Sequence, residues 1–148
     1  RRVLFRSDFI NENMQNEGSK KKLSDTERLF LFGERLYLMP EGGLPSLEGL
    51  KTLRAGLELG EIKKERFVPS HAFALYLNKD EVLHCCDLKC DGEETQAYLN
   101  GQSLPVKSPT TEDNGWYLIT CSGISLGWAK VSNGLMKNHY PKGLRINY

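Results

Sequence analysis

The chain has 148 residues, 20 Lys and Arg against 19 Asp and Glu, and 39% hydrophobic residues, which suits one ordinary soluble domain or two very small ones. A net charge of +1 with 26% charged residues argues against a polybasic or acidic disordered chain, and no apolar run approaches the ~18 residues of a membrane-spanning helix. The near-neutral total is a cancellation: residues 78–114 carry three basic and eight acidic groups, whereas 115–148 carry Lys130, Lys137, Lys142 and Arg145 and no acidic residue. That last stretch also holds two Trp and three Tyr. Cations reach phosphates and aromatic faces stack on bases, so its makeup fits a polyanion-binding surface. A basic strand with a solvated face fits the composition equally well.

Arg6 interrupts Val3-Leu4-Phe5, so the N-terminus lacks the apolar core of a signal peptide. Residues 11–22 are too polar to offset the entropy of ordering. Residues 1–22 are therefore expected to be a disordered linker or an added tail, and the missing initiator Met fits a chain cut from a longer protein. Ser24 and Glu27 have capping-box spacing. Leu29–Phe32 and Leu36–Met39 around Gly33-Glu34-Arg35 predict a hairpin, with helix then strand as the alternative. A Gly/Pro loop follows over Pro40–Gly49. Lys51–Glu58 and Leu59–Arg66 read as strand, with Gly56 and Gly60 as bulges or turns. Ser70 is the expected N-cap of a helix over His71–Leu77.

A second helix is predicted over Asp91–Leu99, its early carboxylates suited to the positive N-terminal end and its close marked by Asn100-Gly101. Only strand and turn signals come after it. Strands are expected over Gln102–Val106, Trp116–Cys121, Ile124–Val131 and from Leu135, with turns at Ser122-Gly123 and Ser132-Asn133-Gly134 and a loop running to Asn114. The expected fold is α+β: a small mixed α/β subdomain over 23–86, then a mostly antiparallel β unit over 87–148.

The cysteines invite a metal reading, but their spacing is poor. Cys86 and Cys90 could form one knuckle, Cys121 has no paired ligand beside it, and Cys85 and Cys86 project to opposite faces of a strand. Reduced thiols of a cytosolic protein are the expectation, and no metal is expected. Cys121 lacks a base or an electropositive setting and reads as a strand residue rather than a nucleophile. No dinucleotide or phosphate-loop fingerprint is present. The chain by itself offers no catalytic constellation.

What remains is Gly127-Trp128-Ala129-Lys130, a short turn, and the unbroken run Lys137-Asn138-His139-Tyr140-Pro141-Lys142-Gly143-Leu144-Arg145. This string resembles the terminal signature of the RsmF-like ribosomal-RNA 5-methylcytosine methyltransferases of the Nop/Sun class, whose last module is a PUA-like RNA-binding domain. Leu53–Glu61, Arg66–Ala72 and Ala97–Gly101 resemble the same family's block between its catalytic and PUA-like parts. The resemblance covers about residues 27–146. It implies a PUA-like β barrel at the C-terminus and, for a full-length parent, S-adenosylmethionine-dependent methyl transfer by a Rossmann-like domain that these residues do not contain. This chain would then hold rRNA or the small ribosomal subunit for that domain, as a cytoplasmic monomer without catalytic residues or a cofactor of its own.

Under that reading Lys130, Lys137, Lys142 and Arg145 are candidates for phosphate contacts, and Asn138, His139 and Tyr140 for base reading or stacking. Arg54, Lys63, Lys64, Arg66 and His71 form a second basic set. The plainer alternative makes Trp116, Trp128 and Tyr140 core and lets Asn138, Pro141 and Gly143 fix a turn. Two other classes compete: a protein-interaction or ribosome-docking module using the acidic face at 78–94, and a small zinc-stabilised domain.

Overall fold

The computed structural model describes residues 9, 12–14, 29–39, 56–105 and 114–147, and the chain divides into two compact units, Arg1–Phe73 and Ala74–Tyr148. The expected capping box at Ser24 and Glu27, the loop at 40–49, the end of the strand expected over 102–106 with all of the following loop but Asn114, and most of the strand expected over 51–58 lie outside the described residues.

The first unit is built on a four-stranded antiparallel sheet in sequential order: β1 (Leu29–Phe32), β2 (Arg35–Leu38), β3 (Leu57–Lys63) and β4 (Arg66–Pro69). The expected 29–39 hairpin is present, with Gly33 at φ +62 in its turn. Gly56 and Gly60 do not divide the following segment. β3 runs through Gly60, and the chain reverses at Lys64 and Glu65, which take φ 47° and 62°. The register against β2 shifts at Leu36/Tyr37, where Leu36 faces Gly60 and Tyr37 faces Glu58, so the irregularity does fall beside Gly60. Close packing explains the glycine. A Cβ at Gly60 would lie 2.6 Å from Phe67 Cζ and closer still to the Val68 carbonyl.

Leu36, Leu38, Leu59, Ile62 and Phe67 are buried in this unit. Phe9 and Met14 are buried too, with the Phe9 ring 5.1 Å from that of Phe67, and Asn13 Nδ2 donates to Phe9 O at 2.9 Å. The expectation of a solvated tail over 1–22 is therefore corrected at these positions. Phe9 gains an aromatic partner on β4, which the polar residues around it in sequence do not reveal.

Ser70 opens α1 (His71–Tyr76) as expected: its Oγ accepts from Phe73 N at 3.0 Å and donates to the Glu58 carbonyl. A short 3-10 turn covers Lys79–Glu81. The second unit then forms a five-stranded sheet in the order β5 (Cys85–Leu88), β7 (Gly115–Cys121), β8 (Ile124–Ser132), β9 (Leu135–Asn138), β6 (Leu104–Pro105). Strand β5 spans the border expected at 86/87 and pairs with β7 along its whole length. That pair is parallel and the others antiparallel. Among the described residues β5 and β6 remain the two edges, so a closed barrel is not formed by them. Among the described residues both units hold more sheet than helix.

Helix α2 (Glu93–Leu99) connects β5 to β6. It ends in a Schellman arrangement, with Gly101 N donating to Tyr98 O at 2.9 Å, Gln102 N to Ala97 O at 2.9 Å, and Gly101 at φ +90. Tyr98 packs into a cluster with Leu88, Ile119, Ala129, Val131 and Met136. Ser122-Gly123 and Asn133-Gly134, all at positive φ, make the two tight turns of the β7–β8–β9 meander. Cys90 and Cys121 are bonded as a disulfide with Cα atoms 5.1 Å apart, which corrects the expectation of four reduced thiols. Leu88 pairs with Cys121 in the parallel register, and this brings the residue two positions later within bonding reach. Cys85 and Cys86 are not disulfide-bonded.

Candidate nucleic-acid interface

Antiparallel register places directly opposed residues on one face of a sheet. Gly115, Val131 and Met136 share the face that packs under α2, together with Ala129 and Ile119. Trp116, Lys130 and Lys137 form a row on the opposite face, since Trp116 opposes Lys130 and Lys130 opposes Lys137. Leu118 and Trp128 form the next row, at 0% and 2% exposure, with His139 N donating to Trp128 O at 3.1 Å. The cationic row therefore sits at the edge of a well-packed apolar floor.

Lys130 is half-buried and its Nζ lies 5.4 Å from the Trp116 ring centroid, a cation–π placement. Lys137 beside it is exposed. Like charges directly opposite one another across two strands are unfavourable. An anion over the pair relieves that repulsion.

His139 stands edge-on to Trp116, ring centroids 4.7 Å apart. Burial, then the charges of Lys137 and Lys130, push its pKa down to about 4, so its ring is neutral at pH 7 and is not a phosphate cation. Asn138 is committed to the fold: Nδ2 donates to Tyr98 O and to Gln102 O, both at 2.8 Å, and Oδ1 accepts from Tyr140 N at 2.7 Å. Neither amide hydrogen is left for a base edge. Tyr140 is half-buried, its ring 5.4 Å from that of Tyr98, whose hydroxyl donates to Trp128 O at 2.9 Å. Lys142 is exposed in a second 3-10 turn, Lys142–Leu144, and Arg145 is half-buried against Gly101.

The second basic set divides. Arg54 lies outside the described residues. Lys63 and Arg66 are exposed and directly opposed beside the β3–β4 turn that Lys64 helps to form, and Lys63 Nζ lies 3.9 Å from Glu61 Oε2. His71 is half-buried at the start of α1, and burial lowers its pKa. No metal-binding group of three or more His, Cys, Asp or Glu occurs among the described residues.

Sequence reasoning missed three features of the second unit. His84 and Tyr117 stack with centroids 4.8 Å apart at 12°. Asp87 Oδ1 accepts from Thr120 Oγ1 at 2.6 Å and from Gly123 N at 2.9 Å, bonds that hold its carboxyl below the usual carboxylate pKa. Trp116 carries both Lys130 and His139. The first two depend on the pairing of β5 with β7, strands far apart in sequence, whereas Trp116 gains its partners within the β7–β8–β9 meander and, inside the basic tail, left a local trace.

Two small sheet-rich units, the second with Trp116 and Trp128 buried and Lys137 exposed beside them, define the class of domain. Residues 8–77 match the RsmF rRNA methyltransferase first C-terminal domain, and residues 85–146 match the Methyltransferase RsmF PUA domain. The chain belongs to this family as an RsmF-like C-terminal region. Ribosomal RNA small subunit methyltransferase F of Shewanella piezotolerans is 23% identical over 116 residues, which span 78% of this chain and 23% of that protein. The chain thus corresponds to about a quarter of that relative's length.

Proposed function

We propose that this chain is the RNA-binding C-terminal region of an rRNA cytosine-5 methyltransferase, and that its second unit holds folded rRNA for a catalytic domain outside these residues. The observation that carries the reading is the cross-strand pair Lys130–Lys137, continued by Lys142 and Arg145 in a segment without carboxylates. Affinity for RNA comes mainly from phosphate contacts, and such contacts position without specifying sequence. The burial of Trp116 and Trp128 favours the plainer role for these aromatics: they support the lysines and do not stack on bases. Base reading by Asn138 is accordingly not part of the proposal. Lys63, Lys64 and Arg66 at the β3–β4 tip are secondary phosphate candidates.

The same reading takes the second unit, from β5 onward, as a PUA-like barrel. S-adenosylmethionine belongs to the absent domain, and the chain acts as a monomer in the cytoplasm. The 148-residue chain should bind a labelled small-subunit rRNA stem-loop in a fluorescence titration. Lys137→Ala with Lys142→Ala should weaken binding roughly tenfold or more. Unchanged affinity in this double variant sinks the proposal.

A further inference from the structure

The C-terminal end of α2 meets the end of the chain at a position where only glycine fits. Gly101 has φ +90, and a Cβ there would lie 2.6 Å from Arg145 Cδ and Cζ and closer still to Nε. The backbone on both sides is fixed. Asn138 binds the carbonyls of Tyr98 and Gln102, which flank Gly101, while Ile146 N donates to Leu99 O at 3.0 Å and Arg145 N to Lys142 O at 3.4 Å. The Cδ–Nε–Cζ part of the Arg145 side chain thereby lies against the glycine.

Arg145 Nε is enclosed without a hydrogen-bond partner, and among the described residues the guanidinium has no ion pair. Its terminal nitrogens are not enclosed. The C-terminal end of a helix favours any cation there, a small effect that lysine supplies as well. A half-buried arginine without a carboxylate is a costlier choice, explained when its planar fork is meant for an external anion.

We propose that Arg145 is the preorganised phosphate-binding residue of this surface, taking an RNA backbone phosphate between its terminal nitrogens, and that Gly101 is its positioning residue. This rests on the RNA-binding reading above. Lys137 and Lys142 then supply diffuse attraction, whereas Arg145 supplies the contact with defined geometry.

The test is a titration of the same labelled rRNA stem-loop with the full chain and its variants. Arg145→Ala and Arg145→Lys should each lose about tenfold in affinity, because lysine keeps the charge but not the fork. Gly101→Ala should lose as much, and Gly101→Ala with Arg145→Ala no more than either alone, whereas Lys137→Ala should add its own loss to each. Far-UV circular dichroism and the melting temperature of Arg145→Lys should match those of the unaltered chain. Wild-type affinity in Arg145→Lys overturns the inference, whatever Gly101→Ala does to folding. If Lys137→Ala with Lys142→Ala weakens binding and Arg145→Ala does not, Arg145 merely caps α2 and the RNA reading stands. If none of these variants weakens binding, the RNA reading itself fails.

Discussion

His139 shows how far a residue's chemistry depends on neighbours that sequence does not place beside it. In the unfolded chain it titrates near 6.5; in the folded unit, burial and the lysines hold it at about 4. Between these values the unfolded state binds more protons, so stability rises with pH across this window and is lost as pH falls from about 6.5 toward 4. An NMR titration should place the His139 midpoint well below 6, and His139→Gln should flatten the fall in melting temperature over this window. A midpoint near 6.5 would contradict the packing against Trp116. Asn138 is a second case. Its place in the Lys137–Arg145 run marked it in the sequence as either a reader of bases or a fixer of a turn, and its three hydrogen bonds decide for the turn. Asn138→Ala strips partners from two carbonyls and one amide and should cost about 2–3 kcal/mol in urea unfolding. A loss below ~0.5 kcal/mol would mean that water replaces the side chain at little cost.

Elements were legible where chemistry is local. Ser70 names a helix start, and Ser122-Gly123 and Asn133-Gly134 name turns, because the residues needed at those backbone angles sit at those positions. The β3–β4 turn was not legible, since Lys64 and Glu65 take positive φ without being turn formers. Nor was the parallel pairing of β5 with β7, which joins residues 33 apart, such as Cys85 and Leu118. The same long-range pairing brings Cys90 to Cys121, a bond that closes a sequence separation of 31 residues around α2. Loop-closure entropy over that span stabilises by about 3–4 kcal/mol in the chain-entropy picture. Cys90→Ala, or reductant added to the unaltered chain, should therefore lower the melting temperature of the second unit, and thiol counting on the denatured, unreduced chain should find two reactive thiols. Four would show the pair to be reduced, the state a cytoplasmic setting favours.

At the scale of the whole molecule, charge separates the competing roles. Asp80, Glu81, Asp91, Glu93 and Glu94 belong to the acidic segment before the β7–β8–β9 meander, and the cations of the final thirty-four residues follow without a carboxylate between them. This asymmetry was readable from sequence alone. What was not readable is which cations are free to release counterions: Lys130 is held over Trp116, whereas Lys137 and Lys142 are exposed. For a polyanion-binding surface, the slope of log affinity against log salt should therefore fall by roughly one for each of Lys137→Ala and Lys142→Ala. Lys130→Ala should also alter the environment of the indole beneath it, visible in Trp fluorescence. Glu93→Gln with Glu94→Gln should leave the slope intact and raise affinity slightly by removing repulsion. A docking module that uses the acidic face reverses this pattern. In that case the glutamate variant loses its protein or ribosomal partner, and the lysine variants keep it.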